Sequence, residues 1–459
     1  MKKGLVWIRR DLRLHDHAAL SAATKECDEV YLVFVFDKKI LDKLEPEDRR
    51  VSFLYESLWE IEEKVGIHTL IGDPVDLIPK LYKKLKIDQL YFNRDYEPYA
   101  LKRDNKVIRE LKEVTTYKDS VFYEPHEILK GDGTPYTVFT PYKRKWLEAF
   151  LNQGKTISDY KVNIKKIKNG NSKLGPALLK KMGFEKTENI LVGGTSKGKK
   201  LLSSFDKKIE KYDETRDFPA MEGTSNLSVY IRFGCISIRD MIRLSLKKNS
   251  KGHDVWLSEL IWREFYQMIL GQFPHVVKKE FKPKYEGIPW SGTSKEFKAW
   301  KEGKTGFPIV DAAMRCLNET GMMPNRLRMV VASFLCKTLL IDWKKGEKYF
   351  ASKLLDFDLA SNNGGWQWSS STGCDAQPYF RIFNPYSQSQ KFDGEGEFIK
   401  KWCPELASLD SKKIHQPDLA DMLELAEAGC SLGKDYPFPV VSYSRNRQKA
   451  LQMYKKALS

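Results

Sequence analysis

Three clusters of residues after position 220 have side chains and spacings that could do chemistry. The first is the run DFDLASNNGGWQW at 356–368, which holds two Asp, two Asn, two Gly and two Trp. Polar groups crowded among aromatic ones make a poor helix and a poor strand, and they indicate a site that hydrogen-bonds a flat heterocycle. A glycine-rich connection between helices is the plainer interpretation.

The second cluster lies on one face of a predicted helix. Trp256, Glu259, Arg263 and Tyr266 recur at helical spacing, and Trp262 lies beside them. Core packing is the ordinary interpretation of an aromatic stripe. Burying a Glu or an Arg without a partner costs several kcal/mol, however. The face is therefore expected to line a polar cavity.

The third cluster is the run GTSNLS at 223–228, just before an apolar helix. Backbone N–H groups and hydroxyls at the start of a helix are suited to binding phosphate oxygens. A plain helix cap would explain the same residues. Taken alone, this cluster is a weak indication of a phosphate site.

The elements that must position these clusters begin with an α/β domain. The first 125 residues alternate short apolar runs with segments of helical period, which predicts βαβ units on a doubly wound parallel sheet. The predicted strands are residues 4–8, 30–36, 69–71 and 89–92. Ligands bind such sheets at the carboxyl ends of the strands, so the loops that follow are candidate pocket walls. No GxGxxG follows the first strand, which argues against a dinucleotide-binding Rossmann domain.

The rest of the chain divides at about residue 200. Residues 126–200 are rich in Gly and Lys and weakly periodic, which predicts a solvated interdomain linker. From residue 201 onward the pattern is helical. The predicted fold is an α/β N-terminal domain at 1–125, a linker at 126–200 and a larger all-α C-terminal domain at 201–459.

Composition narrows the classes of function. The 459 residues carry 78 Lys and Arg against 61 Asp and Glu, a net charge of +17, which favours a nucleic acid partner first and an anionic membrane surface second. Seven Cys without a CxxC pair and seven His without an HExxH spacing argue against a disulfide framework and a metal site, and favour a cytoplasmic protein. No apolar run is long enough to span a membrane, and the N-terminus is not a signal peptide. Eight of the eleven Trp lie between Trp256 and Trp402.

At these clusters the chain resembles the photolyase/cryptochrome family, and most of all the microbial class I photolyases of cyclobutane pyrimidine dimers. The resemblance covers nearly the whole chain except roughly 151–200. The motifs that carry it stand here as VWIRRDLRLHDHAAL, RDFPAMEGTSNLS, SELIWREFY, AWKEGKTGFPIVDAAMR, PNRLRM, LLIDWKKGE and DFDLASNNGGWQWSSSTGCDAQPYFRIFNP.

The resemblance implies a helical domain that binds FAD and DNA, and repair by light-driven electron transfer from fully reduced FAD to a flipped-out dimer. Asn362 would face flavin N5, where an amide can tune the flavin. The residues implied to contact FAD are Tyr212, Thr224, Ser225, Ser228, Arg263, Asn325, Arg328, Asp356, Asp358 and Asn362.

The same resemblance implies a lesion site. Glu259 would hydrogen-bond the edge of a thymine, Trp262 would stack on the dimer, Trp368 would flank it and Met329 would contact it. The residues implied at DNA phosphates are Arg216, Arg326 and Arg381. The residues implied to carry an electron from the surface to oxidised flavin are Trp366, Trp343 and Trp300.

Two regions depart from the family pattern. Met322 and Pro324 stand where family members commonly carry Trp and His, so details of the active-site wall are expected to differ. In the antenna domain at 1–125, the loop NRDYEPY at 93–99 resembles that of deazaflavin-type members, with Arg50 and Asp95 as pocket residues. Of the folate contacts only Lys278 is matched. A deazaflavin- or flavin-type second chromophore is therefore favoured over folate, with an empty pocket as the alternative.

Three other functions stay open. A blue-light receptor of the cryptochrome type usually carries a C-terminal extension, and this chain stops soon after the helical domain. A photolyase of 6–4 photoproducts uses a pair of active-site His, and no His lies in the flavin-site motifs. A basic nucleic-acid-binding module without catalysis is the last. The favoured interpretation is a monomeric cytoplasmic enzyme that acts on UV-damaged DNA, without a metal or a membrane.

Overall fold

The chain begins with a parallel sheet of five strands. The computed structural model describes residues 1–172 and 174–458. The strands are β1 (Lys3–Ile8), β2 (Glu29–Asp37), β3 (His68–Gly72), β4 (Gln89–Asn93) and β5 (Val114–Tyr117), in the order β3-β2-β1-β4-β5. All four neighbouring pairs are parallel. The predicted α/β class and its four strands are confirmed, and β5 is an additional edge strand.

Helices connect the strands of the sheet, and the chain after β5 contains helices and the loops between them. Those of the first 210 residues are α1 (Ala18–Glu26), α2 (Lys38–Leu41), α3 (Arg49–Val65), α4 (Pro74–Leu85), α5 (Pro98–Glu110), α6 (Phe139–Asn152), α7 (Pro176–Lys181) and α8 (Thr195–Asp206). Those that follow are α9 (Tyr212–Thr215), α10 (Ser228–Arg232), α11 (Ile238–Ser245), α12 (Lys251–Gln272), α13 (Ser294–Glu302), α14 (Pro308–Thr320), α15 (Asn325–Lys337), α16 (Trp343–Lys353), α17 (Leu359–Ser369), α18 (Pro385–Phe392), α19 (Glu397–Trp402), α20 (Met422–Glu427) and α21 (Tyr443–Leu458). Short 3-10 turns lie at Ile164–Lys166, Ile209–Lys211, Pro274–Val277, Pro283–Tyr285, Pro404–Leu406 and Pro417–Leu419.

The chain forms two compact units whose boundaries differ from the predicted domains. The first unit comprises Met1–Glu210 and Ser225–Pro274, and the second comprises Lys211–Thr224 and the residues from His275 onward. The predicted linker and the helices α10, α11 and α12 of the predicted helical domain therefore belong to the same unit as the sheet. The long helix α12 packs on α6 and α11 within the first unit.

The segment predicted as a solvated linker is held to the α/β elements by hydrogen bonds. The amide of Lys168 donates to the carbonyl of Val30 on β2 at 2.8 Å, and the amide of Gly194 donates to Ser57 Oγ on α3 at 3.0 Å. Gly193 passes so close to α3 that an added Cβ would lie 2.2 Å from the carbonyl oxygen of Phe53. Backbone amides satisfied in this way leave no sign in the side-chain pattern, so composition alone suggested a linker.

A network of buried charges lies inside the first unit. Arg13 Nη2 is 2.6 Å from Asp119 Oδ2, and Arg239 binds both Asp119 at 2.7 Å and Asp16 at 3.0 Å. All four side chains are buried. Burial alone would raise the pKa of Asp119, but Arg13 and Arg239 outweigh it and hold that pKa well below its usual value. These ion pairs join residues that are more than 100 positions apart in the sequence.

The second unit has an aromatic and aliphatic core. Its largest cluster is formed mainly by α14 and α15 with residues of α13, α16, α17 and α19, and it includes Trp300, Trp343 and Trp366. The helix α15 begins directly after Pro324, whose carbonyl accepts the amide of Arg328 at 3.1 Å. The departure at Pro324 is therefore accommodated where a helix starts and no intrahelical donor is needed.

Candidate functional site

The run at 356–368 is a helix in the structure, contrary to the prediction of a poor helix. Asp358 caps α17, and its Oδ1 accepts the amide of Ser361 at 3.1 Å. On the buried side, the side-chain amides of Asn363 and Gln367 both donate to the carbonyl of Val276, at 2.9 and 3.0 Å. Tertiary hydrogen bonds thus offset the weak helix propensity of the Asn and Gly residues.

The side chain of Asn362 is oriented by Glu347 on α16. Its Nδ2 donates to the Glu347 carbonyl at 3.1 Å and to Glu347 Oε1 at 3.2 Å. Burial raises the pKa of Glu347 above its usual value, and the hydrogen bond from Asn362 offsets only part of that rise. Among the described residues no donor reaches Asn362 Oδ1, so this oxygen remains as an acceptor for a ligand.

An ion pair joins two other residues predicted to contact FAD. Arg328 Nη2 lies 2.9 Å from Asp356 Oδ2, and Arg328 Nε donates to the carbonyl of Met323 at 2.8 Å. Asn325 starts α15, and its Nδ2 lies 3.8 Å from Met329 Sδ. The structure therefore places Asn325, Arg328 and Met329 together on the first turns of α15.

The hydroxyl cluster at 223–228 starts a short helix. Ser225 Oγ accepts the amide of Leu227 at 3.2 Å, and Asn226 has a left-handed backbone with φ of 55°. Ser228 is exposed at the first position of α10. Ser225 and Ser228 belong to the first unit, and Thr224 belongs to the second. Tyr212, which is buried at the start of α9, also belongs to the second unit.

The predicted lesion face of α12 lies on the first unit. Glu259, Trp262 and Arg263 are half-buried, as expected for the wall of a cavity. Arg263 Nη1 donates to the carbonyl of Ser120 at 2.8 Å. The indole of Trp262 stacks on Phe139 of α6, with ring centroids 3.7 Å apart and planes 8° apart. Phe139 therefore covers one face of the indole and leaves at most the other for a stacked base.

The three Arg predicted at DNA phosphates lie in the second unit. Arg326 Nη2 is 2.7 Å from Asp217 Oδ2, and its guanidinium lies 4.4 Å above the ring of Phe392. Arg216 lies 3.9 Å from Asp217 as well. Arg381 is exposed, and its carbonyl oxygen accepts a hydrogen bond from Lys337. Asp217 thus partly neutralises two of the three cations.

The three Trp of the expected electron path are all buried. Trp300 and Trp366 have ring centroids 6.0 Å apart in an edge-to-face arrangement. Trp300, Trp343 and Trp366 are at most 2 % exposed. A path from the surface needs an exposed end, and none of these three Trp supplies one. Two partly exposed Trp pack against the same core cluster, namely Trp290 and Trp402.

The predicted antenna residues have separate local partners. Asp95 follows β4 and lies 3.5 Å from Arg10 Nη1, and it lines a cavity of about 20 Å³ with Arg9, Arg94 and other polar residues. Burial raises the pKa of Asp95, but Arg10 and Arg9 lower it further than burial raises it. Arg50 instead pairs with Asp48 at the start of α3, at 2.8 Å. The cavity beside Asp95 has room for about one water molecule, and Arg50 does not line it.

Trp368 on α17, which is predicted to flank the dimer, is half-buried.

Within residues 1–172 and 174–458, no three His, Cys, Asp or Glu side chains gather closely enough to bind a metal ion. In the same part of the chain, no helix combines the length and the apolar character needed to cross a membrane.

Comparison with known proteins identifies the family. Residues 4–159 match the DNA photolyase family, and residues 256–456 match the FAD binding domain of DNA photolyase. The chain is 38% identical to the deoxyribodipyrimidine photo-lyase of Escherichia coli, covering 100% of this chain and 99% of that protein. The chain belongs to the DNA photolyase family. The resemblance seen in its motifs is thereby confirmed.

Solved structures of the family share the fold. An archaeal photolyase from Sulfolobus tokodaii, solved with two FAD molecules, is 31% identical with a TM-score of 0.83, covering 99% of this chain and 100% of that one. A cryptochrome from Synechocystis is 28% identical with a TM-score of 0.87, covering 99% of each chain. The predicted α/β domain followed by a helical FAD-binding region is confirmed, and the fold alone does not separate photolyases from cryptochromes.

The residues present suit FAD. The free acceptor on Asn362, fixed in place by Glu347, can take a hydrogen bond from a ring N–H of a flavin. The hydroxyls at 224–228 and the guanidinium of Arg263 are donors of the kind that bind phosphates. The chemistry of this set fits the family match to an FAD-binding domain.

Four residues that each contact a predicted site residue were missed by sequence reasoning: Phe139, Asp217, Glu347 and Lys337. Glu347 stands inside the motif LLIDWKKGE, but nothing in its spacing indicates a bond to Asn362. Phe139 lies more than 120 positions before Trp262. Only the folded arrangement of α6 and α12 shows that the two rings stack.

Proposed function

We propose that the protein repairs cyclobutane pyrimidine dimers in UV-damaged DNA, using light and fully reduced FAD. The observation that carries this proposal is full-length similarity to a protein named deoxyribodipyrimidine photo-lyase. The half-buried face of α12 supports it, because Glu259 and Trp262 supply a carboxyl group and an aromatic surface for an extruded base.

The roles of the site residues are part of the proposal. When bound and fully reduced, FAD would supply a light-excited electron to the dimer and would take the electron back once the dimer has split. Asn362 accepts a hydrogen bond at flavin N5, and Glu347 holds its amide in that orientation. Arg328 and Asp356 bind as a pair beside the cofactor. The residues proposed to hold the remainder of FAD are Tyr212, Thr224, Ser225, Ser228, Arg263, Asn325 and Asp358.

The lesion is proposed to bind against α12 with contributions from other helices. Glu259 hydrogen-bonds the thymine edge, which orients the dimer and stabilises charge that develops on it. Trp262 offers one ring face for stacking, because Phe139 occupies the other. Stacking of this kind contributes about 1–3 kcal/mol per base. Met329 and Trp368 are the remaining residues proposed to contact the dimer.

Binding to undamaged flanking DNA is proposed to depend on a few Arg. Arg216, Arg326 and Arg381 would contact phosphates without reading sequence, so affinity would fall with salt. When a phosphate binds, Arg326 would either leave Asp217 or bind Asp217 and the phosphate together. Loss of one such contact should reduce the slope of log affinity against log salt by about 0.9.

Electrons for reducing the resting flavin are proposed to pass through the buried Trp cluster. Trp290 is the better of the two partly exposed ends. The amide of Gly292 donates to the carbonyl of Leu340 at 2.9 Å, which places the Trp290 segment against the chain just before Trp343. Trp402 lies instead on α19 beside Phe398.

A second chromophore of the deazaflavin or flavin type is proposed for the first unit, near Asp95 and Arg50. The support is the sequence of the 93–99 loop and the relative from Sulfolobus tokodaii with two FAD molecules. We also propose that the protein acts as a monomer in the cytoplasm. Acid release of the chromophores, followed by their absorption spectra, tests the antenna assignment.

The activity is tested with purified protein whose FAD has been reduced, mixed with an oligonucleotide that contains one thymine dimer. Illumination should restore the absorbance of the separated thymines, and a dark sample should not. A parallel oligonucleotide with a 6–4 photoproduct should remain unrepaired. Repair of the 6–4 photoproduct alone would make that photoproduct the substrate. If the flavin-loaded protein repairs neither lesion, the result would favour a blue-light receptor of the cryptochrome type.

A further inference from the structure

Lys337 is a fully buried cation at the end of α15. Its side chain is 0 % exposed, and it lies beside the core cluster that includes Cys336 and Leu339. Burial lowers the pKa of its ammonium group to about 7. Among the described residues no carboxylate lies within ion-pair distance of Lys337 Nζ. A buried ammonium without a counter-charge costs several kcal/mol, and an apolar side chain of similar size would fill the same space without that cost.

Within the part of the chain that the structure describes, the partner of this ammonium is a backbone oxygen. Lys337 Nζ donates to the carbonyl of Arg381 at 3.0 Å. A hydrogen bond from a charged donor is stronger than one from a neutral donor, so this bond holds a particular point of the chain in place. That point lies in the connection between α17 and α18, outside regular secondary structure.

The connection is anchored on its inner side and presents two side chains outward. The amide of Arg381 bonds the carbonyl of Pro378 at 3.0 Å, which forms a turn. Tyr379 stacks on Tyr454 of α21, with ring centroids 5.7 Å apart. Ile382 packs against the small apolar cluster to which Tyr454 belongs. Phe380 and Arg381 are exposed. Lys337 thus donates to the backbone of Arg381, the residue whose own side chain is exposed.

We propose that Lys337 is a positioning residue for DNA binding: its buried ammonium group holds the turn at 378–381 so that Arg381 meets a DNA phosphate. The inference rests on the proposed function, because the phosphate contact of Arg381 comes from there. It explains why a cation is kept where an apolar side chain would cost less. Lys337 acts through the backbone of Arg381 and does not itself touch DNA.

The test measures the affinity for a dimer-containing duplex in Lys337→Met, Arg381→Ala and the double variant, at one fixed salt concentration. Lys337→Met removes the donor and the charge at similar volume. We expect its Kd to rise about threefold to tenfold, within the range of coupling between residues in contact. The double variant should bind no more weakly than Arg381→Ala alone.

Three further readouts separate positioning from a general structural role. Flavin absorbance and single-turnover repair at saturating DNA should equal those of the unmodified protein in Lys337→Met. Its thermal stability should be unchanged or higher, because a desolvated charge has been removed. Lys337→Gln, which keeps a neutral donor, should bind DNA with intermediate affinity. Lys412→Met removes an exposed charge from the same unit and should leave Kd nearly unchanged.

Each other outcome counts against the proposal. Additive effects of Lys337→Met and Arg381→Ala, or an unchanged Kd in Lys337→Met while Arg381→Ala binds weakly, would overturn it and leave the proposed function standing. A large loss of thermal stability in Lys337→Met would assign the residue to folding alone. An unchanged Kd in Arg381→Ala would remove the proposed phosphate contact and the role of Lys337 with it.

Discussion

The two units of the protein differ in their most distinctive buried feature, which is a network of ions in the first (the ionic interior) and a cluster of rings in the second (the aromatic interior), although the sheet of the first unit also has an apolar core. In the first unit, Arg13, Asp16, Asp119 and Arg239 form a network of ions that are almost inaccessible to solvent. In the second unit, packed rings and aliphatic side chains form a large buried cluster, and Trp366 is one of its members. Buried ion pairs contribute little net stability and depend on geometry, whereas aromatic packing is favourable in itself. The ionic interior therefore fixes the arrangement of distant segments, whereas the aromatic interior brings Trp300, Trp343 and Trp366 into one packed cluster.

The largest effect is expected from breaking the ionic interior. Asp119→Asn removes the counter-charge of two buried Arg, and loss of one partner of a buried pair costs about 3–5 kcal/mol. Denaturant unfolding of the purified protein measures the change. Asp410→Asn, at an exposed carboxylate, is the matched control. A change below about 1 kcal/mol, the ordinary value for an exposed pair, would contradict the account.

The same network predicts the direction of acid sensitivity. The pKa of Asp119 is lower in the folded protein than in the unfolded chain, so its contribution is fully present above the unfolded value. That contribution is lost as the pH falls toward the folded value. Asp119→Asn should therefore show a weaker fall of stability with decreasing pH than the unmodified protein.

The next effect concerns chemistry and leaves both interiors intact. Glu259→Ala should lower the yield of dimer repair about tenfold, the worth of one hydrogen bond to a charged group, while FAD binding and the free energy of unfolding stay the same. Asp254→Ala, at an exposed position on the same helix, is the control. Equal repair yields in Glu259→Ala and Asp254→Ala would show that Glu259 does not bind the lesion.

A moderate effect should distinguish the two exposed ends of the aromatic interior. Trp290→Phe should slow photoreduction of oxidised flavin more than Trp402→Phe does, because the amide of Gly292, close to Trp290, donates to the carbonyl of Leu340 just before Trp343. Transient absorption after a light flash measures both rates. Slower photoreduction in Trp402→Phe alone would move the entry point to α19.

The smallest effect is expected where the first unit contributes an aromatic pair of its own. Phe139→Leu removes the ring that stacks on Trp262, and such pairs are worth about 0.5–1.5 kcal/mol beyond burial. Affinity for dimer-containing DNA should fall by the corresponding severalfold factor, with little change for undamaged DNA. An equal loss for both DNAs would mean that Phe139 supports α12 in general.

The aromatic interior was easier to predict than the ionic one. Trp-rich motifs of the second unit are contiguous in sequence, and the four apolar runs of the sheet follow a clear strand pattern. The edge strand β5, with the sequence VTTY, is only half-buried and lacked that signal. Arg13 and Asp119 are 106 positions apart, so no local pattern relates them.

Local propensity was misleading where tertiary contacts decide the structure. The Asn and Gly residues at 362–365 indicated a poor helix, yet α17 continues through them because Asn363 and Gln367 donate to the carbonyl of Val276. The segment at 126–200 indicated a linker, yet its backbone bonds β2 and α3. Trp300 matched the family motif, but its complete burial became visible only in the fold.

The central claim is that the aromatic interior of the second unit supplies electrons to FAD, and that dimer repair then proceeds from the reduced flavin. The most direct measurement compares Trp366→Phe with the unmodified protein in two steps on one sample: photoreduction of oxidised FAD, then light-dependent repair after chemical reduction. We expect photoreduction to be largely lost and repair to be unchanged. Photoreduction at the unmodified rate, or loss of repair in the chemically reduced variant, would contradict the account.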